Sequence, residues 1–329
     1  MAYVNIDTSY ECIISIPNLL DAWQEFVRGK KQRKDVQEFS RHLMAHVLIL
    51  YEELATKRYN HGGYHAFRIN DPKPRDIHKA HVRDRLVHHA LYRMLYPVFD
   101  RIFIADSYSC RIGKGTHKAL QRFRQFAGKV SRNNTRTCWV LKCDIRKFFA
   151  SIDHAVLFSI LRARVSDEKT LALLANIIES FSSTEPGKGL PLGNLTSQLL
   201  VNVYMNEFDH FAKHTLKAKY YIRYADDFVI LSNNREWLIE LLPSIEEFLG
   251  TRLALSLHPK KVSIRTLASG VDFLGWVHFP RHRVLRTATK RRMKRTLREA
   301  GDADDSVRAS YRGMLAHGNT FKLRQKLEL

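Results

Sequence analysis

The chain has 329 residues, 45% of them apolar, and a formal net charge of +21 at pH 7. This length and apolar content can bury a full core, and they suggest two or three packed subdomains rather than one small module. A surface this basic attracts polyanions, and nucleic acid fits better than membrane. No stretch reaches the ~18 continuous apolar residues of a spanning helix, and the N-terminus lacks a signal-peptide pattern, so we expect a cytoplasmic protein with no membrane partner.

Nothing in the chain indicates cross-links or repeats. The four cysteines, Cys12, Cys110, Cys138 and Cys143, form no CxxC pair and no metal-like series. We expect reduced, mostly buried thiols and neither a disulfide nor a zinc site. Without an internal repeat or a low-complexity tract, a mixed α/β globule is the default fold class.

The N-terminal part of the chain has helical spacing. Residues 18–58 place apolar side chains three and four positions apart, which predicts two helices. The basic run RGKKQRK at 28–34 lies between them and is either a solvated loop or a phosphate contact. Residues 81–98 again predict a helix, which ends at Pro97.

An alternating segment from Tyr64 precedes that last helix and predicts a strand. Pro72 and Pro74 then mark an extended, hairpin-like arm that exposes Lys73 and Arg75. The arm thus presents two cations away from the predicted helices.

The central part of the chain predicts strands that end in acidic residues. The β-rich run TCWVLKC at 137–143 leads into Asp144, and a helix begins near Asp153. A Gly/Pro loop at 188–198 then feeds another helix. The segment YYIRYADDFVILS at 220–232 predicts a strand, a two-residue turn with an acidic tip, and a second strand.

The C-terminal part predicts a helix over 235–250, strands around Leu255 and over Val271–Val277, and a basic helical tail from Val284. From Arg281 to Arg298, nine of eighteen residues are Lys or Arg and none is acidic. A broken apolar stripe runs through this tail at Val284, Leu285, Ala288, Met293 and Leu297. The tail is therefore expected to pack with one face and to contact a nucleic-acid backbone with the other.

Three carboxylates carry the strongest chemical signal. Asp226 and Asp227 lie on the tip of the predicted hairpin, and Asp144 ends an earlier strand. Acids placed in this way can hold two metal ions about 4 Å apart, which suits phosphoryl transfer. Two acids in a turn are also commonly just solvated, but the apolar strands on both sides argue against that alternative.

Several motifs in one order give a family resemblance. YADD at 224–227 follows LKCDIRKFF at 141–149 and GLPLGNLTSQ at 189–198, and the N-terminal half adds KPRDIHKAHVRDRLVHHAL and SYSCRIGKGTHKAL, with VDFLGW after YADD. Together they resemble the reverse transcriptase superfamily. The resemblance implies an α/β (α+β) right-hand polymerase with fingers, an antiparallel-sheet palm and a short helical thumb. The implied boundaries are 1–135 for an N-terminal extension and fingers, 136–280 for the palm with a fingers insertion around 155–215, and 281–329 for the basic helical thumb.

The resemblance also implies catalytic residues and a cofactor. Asp144 and Asp226 would be the principal ligands of two Mg²⁺ ions, with Asp227 the weaker third acid, the Ile145 backbone carbonyl a further ligand, and Mn²⁺ a substitute. Lys261 matches the lysine near the pyrophosphate that acts as general acid. Its neighbour Lys260 leaves that assignment open between the two lysines.

Further residues are implied to bind the substrates. The nucleotide-binding set is Lys73, Arg75, Phe149, Leu192, Gly193 and Gln198, in which the cations close over the triphosphate and Phe149 excludes a 2′-hydroxyl. Phe148 and Phe149, as successive strand residues, are expected to point to opposite faces. The template- and primer-binding set is Arg111, Lys114, Tyr224, Gly275, Arg291, Arg292, Lys294 and Arg295. The loop cations among these residues have solvated loop positions as their alternative interpretation.

One loop departs from the common pattern of the superfamily. Most reverse transcriptases have glutamine before its glycine and proline after its serine, whereas this chain has Leu192 and Gln198. This departure resembles the reverse transcriptases of diversity-generating retroelements, as does the tail motif YRGMLAHGNTFKL at 311–323. The resemblance implies copying that is error-prone at template adenines, because an apolar Leu192 cannot donate the hydrogen bonds that glutamine gives to the nascent pair.

The predicted function is therefore an RNA-directed DNA polymerase that makes cDNA for diversity-generating, mutagenic retrohoming in a bacterial or phage-infected cytoplasm. Its implied partners are a template RNA, the RNA/cDNA duplex, deoxynucleoside triphosphates and a small basic oligomeric accessory protein. No RNase H or nuclease domain is expected after the thumb. The alternatives are a phage-defence or group II intron-like reverse transcriptase and, from another class, a non-catalytic RNA-binding maturase-like protein, against which the three intact carboxylates count.

Overall fold

The computed structural model describes residues 9–70, 74–300 and 305–327 of the chain. Within those ranges the helices are α1 (Tyr10–Ile14), α2 (Ile16–Phe26), α3 (Lys34–Arg41), α4 (Leu43–Ala55), α5 (Val82–Ile102), α6 (Thr116–Val130), α7 (Phe148–Ser151), α8 (His154–Arg162), α9 (Glu168–Glu179), α10 (Leu195–His210), α11 (Arg235–Leu253), α12 (Thr287–Ala300), α13 (Asp305–Leu315) and α14 (Phe321–Lys326). The strands are β1 (Tyr64–Ile69), β2 (Arg75–Ala80), β3 (Trp139–Asp144), β4 (Tyr221–Tyr224), β5 (Asp227–Ser232), β6 (Ser263–Thr266), β7 (Val271–Phe273), β8 (Trp276–His278) and β9 (Arg283–Leu285).

The chain divides into two compact units, each made of several segments. The first unit comprises Met1–Ala105, Ile145–Phe211 and Glu246–Ser256, and the second comprises Asp106–Asp144, Ala212–Ile245 and Leu257–Leu329. These divisions do not test the predicted fingers, palm and thumb boundaries, which stay predictions.

The first unit is mainly helical. Helix α5 packs against α2 and α10, because its apolar positions recur every three to four residues and bury Leu86, Leu91 and Phe99 completely. Strands β1 and β2 form an antiparallel arm in which Tyr64 is opposite Ala80 and Ile69 is opposite Arg75. The predicted hairpin-like arm is confirmed by this pairing, whereas the predicted Lys73 lies outside the described residues.

The second unit contains two antiparallel sheets. The larger sheet has the strand order β4-β5-β3-β6 and the smaller has the order β7-β8-β9. Helix α6 packs on β4 and β5. Phe123 of this helix, Val140 and Val229 of the larger sheet and Phe273 of the smaller sheet share one hydrophobic core, so the core fixes both sheets to the same helix.

The structure corrects several predicted element boundaries in the first unit. Helix α5 does not end at Pro97 but continues to Ile102. A proline inside a helix removes one hydrogen bond and costs ~3 kcal/mol, and burial of Tyr96 and Phe99 on both sides of it offsets that cost. The sequence predicts two helices over 18–58, but the structure has three, α2, α3 and α4. The additional division arises because His42 has a non-helical backbone conformation between α3 and α4.

Three further corrections concern the C-terminal half. Leu255 is not in a strand, because the chain leaves α11 through Ala254, whose φ is +48°, and the next strand is β6 at Ser263–Thr266. The segment Val271–Val277 is two strands with a tight turn between them. Val284 is not helical but pairs with Val277 across β8 and β9. The basic helix therefore begins at Thr287, and a strand precedes it.

The thiols are less buried than predicted. Cys138 and Cys143 are buried, but Cys12 and Cys110 are exposed, and none of the four forms a disulfide in the described residues. None of the helices in the described residues is long and apolar enough to span a bilayer.

Candidate active site

The β4–β5 hairpin presents two of the three predicted carboxylates. Tyr224 pairs with Asp227 across a two-residue turn of Ala225 and Asp226, as the sequence predicts. Ala225 adopts φ +55°, a left-handed conformation that costs a non-glycine residue roughly 1–2 kcal/mol. The apolar strands on either side are buried, so their packing holds the turn in this conformation.

The register of the sheet brings the third carboxylate to the same place. In the antiparallel pairing of β3 with β5, Asp144 lies directly opposite Asp227. Directly opposed residues have Cβ atoms about 5 Å apart. Residues distant in the sequence thus supply two carboxylates on neighbouring strands, with Asp226 adjacent in the turn.

Two lysines place positive charge beside these carboxylates. Lys261 Nζ lies 2.7 Å from Asp144 Oδ1, while the Lys260 side chain is exposed and its backbone N–H donates to His258 Nδ1. Lys142 Nζ lies 3.6 Å from Asp227 Oδ2 and donates a hydrogen bond of 2.8 Å to the Asp272 carbonyl. The geometry favours Lys261 over Lys260 as the lysine that serves this site.

Lys142 was missed in the sequence analysis. It lies two residues before Asp144 on β3, so the two side chains share one face of the sheet. The two-residue period of the strand is the signal that could have identified it.

The Asp227 carboxyl has an unusual environment. Burial raises its pKa to about 7, Lys142 opposes that shift, and the negative charges of Asp144 and Asp226 add to it. Within the described residues its Oδ1 atom is buried and has no hydrogen-bond partner. A buried carboxylate oxygen without a partner is costly, so this position favours a cation.

The donor chemistry fits a hard divalent cation. The described part of the chain contains no group of three His, Cys, Asp or Glu side chains already gathered as a metal site, and the amino groups of Lys142 and Lys261 occupy part of the space around the acids. The available donors are nevertheless carboxylate oxygens, which Mg²⁺ prefers, and Asp227 has an unsatisfied one. Asp144, Asp226 and Asp227 are the residues that would hold such an ion.

In the first unit, a loop predicted to bind nucleotide is fixed on strand β2. The Leu192 carbonyl accepts a hydrogen bond of 3.0 Å from the His78 backbone N–H, and Asn194 Nδ2 donates to the His78 carbonyl at 2.9 Å. Gly193 has φ +111°, and a Cβ there would lie 2.9 Å from Ile77 Cγ2. Glycine is therefore required at this position, and the loop holds Leu192 next to the strand that begins at Arg75.

Phe149 belongs to the same unit but not to a strand. Lys147 adopts φ +45° and turns the chain, so Phe148 and Phe149 lie in the short helix α7, contrary to the prediction. Phe148 is nevertheless buried and Phe149 half-buried. The Phe149 carbonyl accepts a hydrogen bond of 2.8 Å from the Leu190 N–H, so the loop predicted to bind nucleotide is tied to α7 as well as to β2.

Gln198 is in the first turn of α10 and half-buried. Its backbone carbonyl accepts a hydrogen bond of 3.3 Å from Asn202 Nδ2. The structure thus brings Arg75, Leu192, Gly193 and Gln198 onto two adjoining elements of one unit, a strand and the loop that enters a helix.

Three residues of the predicted template- and primer-binding set, Arg111, Lys114 and Tyr224, lie in the second unit. Arg111 donates to the Ser107 carbonyl at 3.1 Å, and the Lys114 ammonium lies 5.2 Å from the centre of the Tyr108 ring. Tyr224 accepts a hydrogen bond of 3.1 Å from Thr116 Oγ1. These contacts order the start of α6 against the hairpin that carries the acids.

Arg223 was also missed, although it is fully buried on β4. Its guanidinium donates to the Ala225 carbonyl at 3.2 Å and to Ser107 Oγ at 3.1 Å. It therefore positions the turn that bears Asp226. An arginine between apolar strand residues, two positions before the turn, was the available signal.

The other residues of the predicted template- and primer-binding set lie in the β7–β8 turn and on α12. Gly275 has φ +83° in that turn, and its carbonyl accepts a hydrogen bond of 3.1 Å from the Arg286 N–H. On α12, Met293 is fully buried. Arg291, Lys294 and Arg295 are exposed and Arg292 is half-buried. The helix thus packs through one face and presents cations on the other, as predicted.

The fold and the carboxylate pair agree with a match to a protein family. Residues 70–278, more than half of the chain, match the reverse transcriptase (RNA-dependent DNA polymerase) family. The chain therefore belongs to the reverse transcriptase family, whose characteristic activity is RNA-directed DNA polymerisation with divalent metal ions.

Individual relatives include intron-encoded proteins. The chain is 26% identical over 291 residues to protein YkfC of Escherichia coli K12, which covers 75% of this chain and 73% of YkfC. It is 27% identical over 157 residues to the group II intron-encoded protein LtrA of Lactococcus lactis subsp. cremoris, which covers 46% of this chain and only 25% of LtrA. The relatives in the comparison are thus matched over very different shares of their own length.

Solved structures support the fold class. Apo telomerase from Candida tropicalis, truncated from its C-terminal domain, matches with a TM-score of 0.52 at 12% identity, covering 74% of this chain and 60% of that chain. Telomerase from Candida albicans in complex with a fragment of telomeric RNA gives a TM-score of 0.52 at 10% identity, covering 71% of this chain and 46% of that one. At these identities the likeness concerns the fold alone, and it confirms the predicted α/β right-hand polymerase class.

Proposed function

We propose that this chain copies RNA into DNA at a magnesium site held by Asp144, Asp226 and Asp227. The observation that carries the proposal is the register of β3 and β5, which sets Asp144 opposite Asp227 beside the turn at Asp226. Carboxylates from neighbouring strands at one end of a sheet are the arrangement that two-metal phosphoryl transfer needs. The membership of the chain in the reverse transcriptase family supports the same reaction.

Each group has a role in this proposal. Bound Mg²⁺ supplies Lewis acidity to the primer 3′-hydroxyl and neutralises charge on the pyrophosphate. Lys261, whose Nζ already lies 2.7 Å from Asp144, donates a proton to the leaving pyrophosphate. Arg75 at the start of β2 holds the triphosphate through paired N–H donors, and the half-buried Phe149 ring excludes a 2′-hydroxyl.

We further propose that the polymerase is error-prone at template adenines and serves diversity-generating retrohoming. Support comes from Leu192, whose backbone is fixed to β2 through the His78 N–H. A side chain held there without hydrogen-bonding groups cannot test the geometry of the nascent base pair. The partners in this proposal are a template RNA, the RNA/cDNA duplex and a small basic oligomeric accessory protein.

A second candidate is an accurate reverse transcriptase of the group II intron type. The similarity to YkfC and to the intron-encoded LtrA favours it. The two candidates share the chemistry and differ in fidelity, so a sequencing measurement separates them.

The first experiment tests the reaction. Purified protein is given a primed RNA template of mixed sequence, Mg²⁺ and deoxynucleotides, beside the isosteric variant Asp226→Asn/Asp227→Asn. We expect synthesis in the wild type and at least a ~1000-fold lower rate in the variant, because charge stabilisation at the metal site is lost. Equal rates in both proteins would contradict the carboxylate assignment. If both proteins stay inactive after addition of a structured RNA but still bind it, the RNA-binding alternative is favoured.

The second experiment tests the error-prone proposal by sequencing the cDNA. We expect wild-type misincorporation concentrated opposite adenine, lower in Leu192→Gln and unchanged in the size-matched control Leu192→Met. Unchanged errors in Leu192→Gln would refute the role of this side chain. Accurate copying by the wild type would favour the intron-type candidate.

A further inference from the structure

The second unit contains a cleft that shares no residue with the carboxylate site. It has a volume of about 1060 Å³ and lies among α6 with the turn that follows it, the β8–β9 turn and the α13–α14 turn. Strand β8 runs from Trp276 to His278. The cleft is therefore at the opposite end of this strand from Gly275, which belongs to the predicted template- and primer-binding set.

The walls of the cleft are positively charged. None of its nineteen lining residues is Asp or Glu, whereas Arg124, Lys129, Arg281 and Arg283 all line it. Partial burial lowers the pKa of Arg283, and the positive charge of Arg124 lowers it further. Guanidinium groups that converge in this way repel one another, and a polyanion between them would relieve the repulsion.

The cleft also offers groups that recognise bases. The Phe279 and His282 rings are stacked 4.9 Å apart at 16°, and they form an aromatic step at the rim. Amide side chains line the walls at Gln121, Gln125, Asn133, Asn134 and Asn319. Within the described residues, Nε2 of the buried His278 has no hydrogen-bond partner. In a nucleic acid the arginines would contact phosphates, the stacked rings would contact the faces of bases, and the amides would contact the edges of bases. An acidic peptide would use only the cations.

The wall at the C-terminal end is held firmly in place. A Cβ on Gly318 would lie 2.0 Å from a ring atom of Trp276, so the backbone of this turn rests directly on the indole. The Asn319 N–H donates to the Arg283 carbonyl at 2.9 Å, Arg283 Nε donates to the His317 carbonyl, and the His117 and His317 rings lie 3.8 Å apart. The segment 317–319 of the tail motif thus has a structural role, because it closes one side of the cleft.

We propose that this cleft binds a single-stranded segment of nucleic acid while the polymerase site is occupied by a primer–template duplex. Phosphates lie against Arg124 and Arg281, and a base stacks on the Phe279 and His282 step. The site would hold the template RNA by a part that is not being copied. This binding does not need catalysis, so it can be measured in a protein that cannot polymerise.

The test uses the full chain carrying Asp226→Asn/Asp227→Asn, saturated with an unlabelled RNA/DNA primer–template duplex. A labelled single-stranded RNA of twelve nucleotides that contains 4-thiouridine is then titrated in at several salt concentrations. The same titration is run on Arg124→Gln/Arg281→Gln and on the control Arg41→Gln/Arg162→Gln, which removes equal charge from exposed residues elsewhere. Duplex binding by all proteins, measured first, shows whether the polymerase site itself is intact.

We expect the oligonucleotide to bind beside the duplex and to crosslink at Phe279 or His282. The cleft variant should bind about tenfold more weakly, and the slope of log K against log salt should fall by about 1.4, since each single-strand phosphate contact contributes ~0.7. The control should bind like the parent. Stronger binding of RNA than of a matched DNA strand would identify RNA as the ligand, and equal binding would identify the shared phosphodiester chemistry.

Other results would overturn the proposal. Complete displacement of the oligonucleotide by the duplex would place both ligands in one site. If the cleft variant and the control variant both bind the oligonucleotide equally more weakly than the parent, the loss is due to net charge and not to the cleft. Competition by oligoglutamate at equal charge would make the cleft a general polyanion site. Each result is independent of polymerase activity, so failure here is distinguishable from failure of the proposed function.

Discussion

At the scale of single residues, the two lysines at 260 and 261 differ only in position, and the structure separates them. Lys261 contacts Asp144, whereas Lys260 is exposed. Lys261→Met should lower the rate of single-nucleotide addition about 100-fold, the lower range for loss of a general acid. Lys260→Met is the matched control and should be nearly as active as the wild type.

The variant Lys261→Arg distinguishes a role of Lys261 as proton donor from a role in a structural ion pair. Arginine keeps the positive charge beside Asp144 but holds its proton too tightly to donate it at neutral pH. Rapid-quench kinetics should therefore show a low rate for this variant too. A normal rate would leave Lys261 with an ion-pairing role only.

His278 predicts a pH dependence of stability. Burial and the positive charge of its cross-strand neighbour Arg283 lower the pKa of His278 to about 4, while the hydrogen bond that its ring donates to the Phe273 backbone opposes the shift. The Phe123 ring covers it at 4.5 Å. The pKa of histidine in the unfolded chain is about 6.5. Between pH 6.5 and 4 the unfolded chain therefore binds a proton at His278 that the folded chain does not, and the stability present above pH 6.5 is lost as the pH falls toward 4.

The variant His278→Gln removes this proton uptake. Measured by urea denaturation, the free energy of unfolding of the wild type should fall by about 3 kcal/mol through this group by pH 4. The free energy of unfolding of the variant should decrease less steeply as the pH is lowered. His282→Gln, at an exposed position nearby, should keep the wild-type slope. Parallel acid limbs for His278→Gln and the wild type would refute the assignment.

At the scale of elements, two glycines of the C-terminal region are in opposite environments. A Cβ on Gly318 would meet three atoms of the Trp276 ring within 3 Å, whereas a Cβ on Gly313 in α13 would meet nothing within 4 Å. Gly318→Ala should destabilise the chain by about 2 kcal/mol through overpacking, and Gly313→Ala should stabilise it by about 0.5–1 kcal/mol. Thermal unfolding of both variants measures the difference, and an equal effect of the two changes would contradict the contact.

The helices and strands that could be predicted from the sequence are those encoded by the pattern of neighbouring residues. The arm β1–β2 and the β4–β5 hairpin follow from alternation and turn residues, which act between neighbours in the chain. The predicted end of α5 at Pro97 was wrong, because proline is a local helix-ending signal and the burial of residues on both sides of it outweighs that signal. Strand β9 was missed because its three residues form a strand only by pairing with β8.

At the scale of the whole molecule, the charge of +21 predicts strongly salt-dependent binding of nucleic acid. The exposed cations of α12 should contribute to duplex affinity. Arg291→Gln/Lys294→Gln should reduce the slope of log K against log salt by about 1.8 for an RNA/DNA duplex, at ~0.9 for each contact. The control Arg41→Gln/Arg162→Gln removes equal charge from exposed positions outside α12. If both double variants change the slope equally, α12 has no special part in duplex binding.

The sequence by itself determined the family, the fold class and the three candidate acids, because these depend on motifs that are contiguous along the chain. Only the tertiary structure decided that Asp144 is opposite Asp227, that Lys142 and Lys261 lie beside them, and that residues 317–319 close one side of a basic cleft. The physical reason is that register, burial and convergence of charge arise between segments far apart in sequence. No local pattern of residues encodes a distance between such segments.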